Sequence, residues 1–162
     1  MPEAISNTSP LLYLYRIGAI GWLSQIFEEI WIPEAVQNEL IAGINKGYDV
    51  PDPEGFPWLR IVNPRFVPSE WLALDLGGGE LAAMSLALDY SKKIILLDDL
   101  FARYTAQAAG LQVWGTLRVL FEAKSKGLIN KIEPFVFQLG DAGMWVSVEV
   151  RKRILFLAGE SE

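Results

Sequence analysis

Short, unbroken apolar runs alternate along this chain with longer helical patterns. The clearest run is Ile94 to Leu97, four consecutive apolar residues bounded by Lys92-Lys93 before and Asp98-Asp99 after. A run that short, without period-two alternation, predicts a central parallel strand covered on both faces. Similar stretches at residues 3–6, 29–32, 59–63 and 112–114 predict four more strands. Asn7-Thr8-Ser9-Pro10 predicts a helix start, and residues 11–27 are apolar on most faces, with Gly18 and Gly21 permitting a bend. Pro33 starts the next helix and Gly43 closes it, followed by a Gly-, Pro- and Asp-rich surface loop over residues 45–57.

Further on, Ser69-Glu70 predicts the cap of a short helix. Gly77, Gly78 and Gly79 precede an almost wholly apolar helix from about Glu80 to Tyr90. A small-residue helix over 101–109 stops at Gly110, and Gly115-Thr116 opens an amphipathic helix ending at Gly127. Residues 132–158 hold two more helical patterns broken at 140–143, with a basic middle in the last. Strands alternating with helices predict an α/β fold: a parallel sheet with helices on both faces and right-handed crossovers.

Composition narrows the chemistry. With 162 residues and 51% hydrophobic content, one domain over 1–162 is expected, the tail from 130 being its helical extension. No apolar segment approaches the ~20 residues a membrane span needs, and no basic stretch precedes an apolar one at the start, so a cytoplasmic protein is expected. Cysteine and histidine are both absent. This excludes thiolate catalysis, a Ser-His-Asp triad and histidine-ligated zinc or haem, leaving carboxylate chemistry and hard cations such as Mg²⁺ or Mn²⁺. Fourteen basic against twenty acidic residues, a net charge of −6, argue against a surface that coats nucleic acid broadly.

Ligands of open α/β sheets bind beyond the carboxyl ends of the strands, where strand order reverses. Asp98 and Asp99 follow one strand and Asn7 another; if these strands are neighbours, the three meet in one crevice. Glu39 lies within the apolar stripe Ala35, Val36, Leu40 and Gly43 of its helix, which aims it inward. Glu80 opens the helix before the aspartates. Each residue also has a structural reading. One aspartate can cap the following helix, Glu80 suits a first helical turn, Glu39 can reach water, and Asn7 with Ser9 has the composition of a turn. The glycine run lacks the Lys-Ser/Thr ending of a phosphate-binding loop.

Taken together, ISNTSPLLYL, IPEAVQNEL, LGGGELAAMSLAL, LLDDLFAR and GLQVWGTLRVLFEAKSKGLI, with the tail MWVSVEVRKRILFLAGE, resemble a PIN domain, the metal-dependent ribonuclease fold of VapC-type toxins. The resemblance covers most of the chain. It implies a three-layer α/β/α sandwich around a parallel sheet of about five strands in the order 3-2-1-4-5. It also implies a site in which Asn7 takes the first acidic position, Glu39 the second, Glu80 the third and Asp99 the fourth, with Asp98 beside it. Thr8 or Ser9 would supply a hydroxyl near the metal. Independently of the resemblance, Arg103 lies one turn beyond the aspartates, where it would contact phosphate or pair with a carboxylate. The departure is Asn7, whose amide ligates a hard cation without contributing charge and so weakens the site.

The implied activity is a Mg²⁺- or Mn²⁺-dependent endoribonuclease acting on single-stranded RNA, as the toxin of a toxin–antitoxin pair and as a homodimer. The alternative is a catalytically impaired binding module that associates with itself or with a small antitoxin. Trp58, Trp71 and Trp145, near loops or predicted helix ends, are its candidate interface residues.

Overall fold

A computed structural model describes residues 1–160. Five strands, β1 (Ala4–Ser6), β2 (Ile30–Ile32), β3 (Leu59–Ile61), β4 (Ile94–Leu96) and β5 (Gln112–Trp114), form one all-parallel sheet in the order β3-β2-β1-β4-β5. The central strands β1 and β4 are buried at every position, which is why their sequences lack alternation. They pair with Ala4 opposite Ile94, Ile5 opposite Ile95 and Ser6 opposite Leu96.

Period-two geometry divides the strand side chains between two cores. Ala4, Ile30, Ile32, Ile94 and Leu96 pack with Leu11, Leu14, Val36, Leu40 and Val119. Those helical residues belong to α1 (Thr8–Arg16), α3 (Glu34–Asn45) and α7 (Thr116–Ser125). Ile5, Ile95 and Leu97 face the other way, onto Ala83, Met84, Leu86 and Ala87 of α5 (Gly78–Asp89) and Ala102 and Ala106 of α6 (Leu100–Ala108). The expected three-layer α/β/α sandwich is therefore present. Outside α7 lie α8 (Glu133–Asp141) and α9 (Val148–Leu157), which bury Ile132, Val136, Leu139 and Ile154 against Leu120. Glu160 ties this layer down, accepting hydrogen bonds from Ile132 N (2.8 Å), Glu133 N (3.0 Å) and Lys124 Nζ (2.9 Å).

Several expectations change. The helix expected over residues 11–27 is two: α1 stops at Arg16, and after a 3₁₀ turn at Ile20–Trp22 comes α2 (Leu23–Ile26). Gly18, at φ +72°, ends α1 in a Schellman motif, with Ala19 N donating to Leu14 O and Gly18 N to Tyr15 O. At its other end α1 begins at Thr8, so Pro10 sits inside the first turn and does not open it. Likewise α3 runs past Gly43 to Asn45, because the left-handed residue lies beyond it at Gly47, φ +80°; Gly43 instead leaves room for Val50 of the following loop. The predicted short helix is α4 (Ser69–Leu72). Its Trp71 is 7% exposed within the second core and Trp58 packs on the first, so of the three candidate interface tryptophans only Trp145, at 86%, faces outward. No helix among the described residues is long and apolar enough to cross a membrane.

Candidate active site

Strand order reverses between β1 and β4, so the residues immediately after these two strands share the crevice at their carboxyl ends. Asn7 follows β1 and is 4% exposed, its backbone N–H donating to Leu96 O at 3.1 Å. It occupies the cap position of α1, yet its side chain caps nothing. Instead the buried Asn7 Oδ1 has no hydrogen-bond partner among the described residues. A buried amide oxygen left without a partner costs about 1–3 kcal/mol.

Glu39 reaches the same place from α3, which packs against α5. The residue as a whole is exposed, but its carboxylate is tied inward: Thr8 Oγ1 donates to Oε1 at 2.5 Å and Gly79 N donates to Oε2 at 3.2 Å. Gly79 is where the two side chains meet. A Cβ there would lie 2.2 Å from Glu39 Oε1 and 3.1 Å from Asn7 Oδ1, so glycine is required for both oxygens to close on this point. The expected inward aim of Glu39 is thus realised by a backbone N–H and a hydroxyl. Thr8 supplies that hydroxyl; the Ser9 hydroxyl makes no hydrogen bond among the described residues.

Glu80 sits one residue further along α5 and reaches back to the helix start, accepting from Gly77 N at 2.9 Å, the half of a capping box that a glycine cap permits. Burial raises its carboxyl above the ordinary value. The Gly77 N–H opposes this, and the charges of Asp99, Glu39 and Asp75 add to the rise. Glu80 therefore lies within electrostatic reach of both Asp99 and Glu39. Asp99 is exposed and caps α6, Ala102 N donating to its Oδ2 at 2.9 Å.

Asp98 has other surroundings. The helix cap is Asp99 alone; Asp98 accepts from both Thr116 N and Thr116 Oγ1, each at 2.7 Å, and so joins the end of β4 to the start of α7. Enclosure raises its carboxyl, and the two Thr116 hydrogen bonds and the charge of Arg103 oppose the rise. Arg103 forms no ion pair among the described residues; its Nη1 lies against Gly115, where a Cβ would come within 2.6 Å. Sequence reasoning missed Gly79 and Thr116. The signals for both were present, a glycine beginning one helix and a threonine beginning another, but their partners lie 40 and 18 residues away.

Among the described residues, no three carboxylates converge tightly enough to hold a metal ion by themselves. The donor set still suits a hard cation: all its atoms are oxygens, one of them a buried amide oxygen without a partner, and Glu80 feels the negative charge of both Asp99 and Glu39. No curated protein matches the chain. A family described as a PIN domain matches residues 3–160, nearly the full length, and PIN domains are nuclease folds that typically use divalent metal ions. The chain belongs to the PIN-domain family.

Proposed function

We propose that this protein is a Mg²⁺- or Mn²⁺-dependent endoribonuclease that cleaves single-stranded RNA, as the toxin of a toxin–antitoxin pair. The observation that carries this reading is the unpartnered Asn7 Oδ1, buried beside the Glu39 carboxylate at Gly79. Asn7, Glu39, Glu80 and Asp99 would hold the metal. Once bound, such an ion lowers the pKa of a water molecule and stabilises negative charge on the scissile phosphate.

The protein's own part is orientation. Thr8 and Gly79 hold the Glu39 carboxylate by both oxygens, so it loses little freedom when a cation is bound. Ala102 N fixes one oxygen of Asp99 at the start of α6. Gly77 N does the same for Glu80, whose carboxyl is raised by burial first and by the charges of Asp99, Glu39 and Asp75 after it. Asp98, with both oxygens on Thr116, positions the neighbouring Asp99 and the start of α7 without binding the metal itself.

A second reading has its own support. Phe137, Trp145, Phe156 and Leu157 expose 50–86% of their surface on and near α8 and α9, which suits a binding module that works through a protein partner. The two readings separate on one experiment: cleavage of a single-stranded RNA oligonucleotide with added Mn²⁺ by wild type, Asp99→Ala and Asn7→Asp. Cleavage that needs Asp99 and rises in Asn7→Asp is the expected result. If neither wild type nor Asn7→Asp cleaves, the nuclease reading fails and the binding module takes its place.

A further inference from the structure

At the carboxyl end of β5, one strand beyond Asp98 and Asp99, a cavity of about 320 Å³ lies between α6, α7 and α9. Its polar lining is two arginines, Arg103 from α6 and Arg118 from α7, and its apolar lining includes Trp114, Phe121 and Ile154. Both arginines are pre-positioned. The Arg103 guanidinium rests on the bare backbone of Gly115 and donates no hydrogen bond among the described residues, while the nearby Asp98 already has both oxygens on Thr116. Arg118 lies over the Trp114 ring, 4.7 Å from its centroid, and is anchored by its Nε, which donates to Glu122 Oε1 at 3.1 Å. Trp114 is 8% exposed and the Arg118 side chain 53%, so the guanidinium sits over a buried indole and is itself reachable from outside.

A free guanidinium fork takes a phosphate in bidentate fashion, and a guanidinium held flat accepts a stacked nucleobase on its open face. The chain as a whole carries a net charge of −6 and repels a polyanion, so cations concentrated beside an acidic crevice matter more than their number suggests. We propose that this cavity is the RNA subsite next to the scissile bond, where Arg103 grips the phosphate of the adjoining nucleotide and Arg118, backed by Trp114, carries its base. This rests on the ribonuclease reading above and adds to it the place where the strand leaves the metal site.

The test separates binding from cleavage. Fluorescence anisotropy of a fluorescein-labelled oligouridylate is measured at low salt with EDTA, on the full chain, for wild type, Arg103→Ala, Arg118→Ala, Arg118→Lys and the exposed control Arg65→Ala. Losing one charge-assisted contact weakens binding about tenfold in Arg103→Ala. The salt dependence becomes shallower by about one counterion. Arg118→Lys keeps the charge but loses the planar stacking surface, so it too binds more weakly. Arg65→Ala binds as wild type, and matched unfolding midpoints exclude a folding defect.

Wild-type affinity in both arginine variants, or no binding by wild type, overturns the proposal. So does a polyglutamate peptide that depends on these arginines where oligouridylate does not, since the cavity would then receive an acidic protein. Arg-independent binding together with Mn²⁺-dependent cleavage removes the subsite and leaves the nuclease reading standing. Arg-dependent binding without cleavage by wild type or Asn7→Asp does the reverse.

Discussion

Asp98 receives two hydrogen bonds from Thr116, one from its backbone N–H and one from its hydroxyl, both 2.7 Å long. The pair spans adjacent strands β4 and β5 at their carboxyl ends, and it gives the two consecutive aspartates different partners: Thr116 for Asp98 and the start of α6 for Asp99. Enclosure would favour a protonated Asp98, and Thr116 with Arg103 works against that. Replacing Thr116 by Val removes the hydroxyl donor from a side chain that is fully buried. Unfolding in urea should show a loss of about 1–3 kcal/mol. A change within about 0.5 kcal/mol, the usual size of a neutral surface substitution, would mean that the hydroxyl is immaterial.

Gly79→Ala should separate stability from activity. In a helix, alanine is favoured over glycine by about 0.5–1 kcal/mol. The new Cβ would meet chiefly the flexible carboxylate end of Glu39, 2.2 Å away, which swings aside at little cost to the fold. Thermal unfolding is therefore expected at the wild-type temperature or above, with Mn²⁺-dependent cleavage reduced at least about tenfold because a ligand is misplaced. Full activity in this variant would show that Glu39 need not occupy that position.

Asn7→Asp adds a carboxylate to a site where Glu80 already feels the negative charge of Asp99 and Glu39. Without metal the variant should melt below wild type. With Mn²⁺ it should gain more than wild type, since tighter binding to the native state raises stability by mass action. Differential scanning fluorimetry across a Mn²⁺ titration reads both effects. Equal Mn²⁺ shifts for the two proteins would place Asn7 outside the metal site.

Glu160 makes stability depend on acid pH. Burial alone would raise its carboxyl, but the Ile132 N–H, Lys124 and the Glu133 N–H outweigh it and lower the pKa below the ordinary value of 4.5. A depressed folded-state value stabilises the fold fully above the unfolded value, and the benefit disappears as pH falls through the folded one. Wild type and Glu160→Gln should therefore differ most in denaturant midpoint above pH 4.5 and converge at lower pH. A gap that widens toward acid would contradict this assignment.

The order of elements could be read from the chain because each buried strand is a bare apolar run and each helix carries its own start signal. Residues 112–114 were placed to the residue. The long first helix could not be divided in this way. Residues 11–27 are apolar almost throughout; Gly18 and Gly21 both permit a bend, and the positive φ of Gly18 decides where it falls. For the site, the sequence supplied the candidates but not their separate duties. Asp98 and Asp99 are chemically identical neighbours, and only the chain direction after β4 turns one toward Thr116 and the other toward the start of α6.

By itself the sequence determined the class of chemistry and the architecture. A chain without histidine or cysteine is left with oxygen ligands, and short apolar strands alternating with helices must build a covered parallel sheet. Tertiary structure alone decided that Asn7, Glu39 and Gly79 meet and that Asp98 stands apart. Those distances follow from how α3 packs on α5 and how β4 lies beside β5, and such long-range contacts leave no periodicity in the sequence.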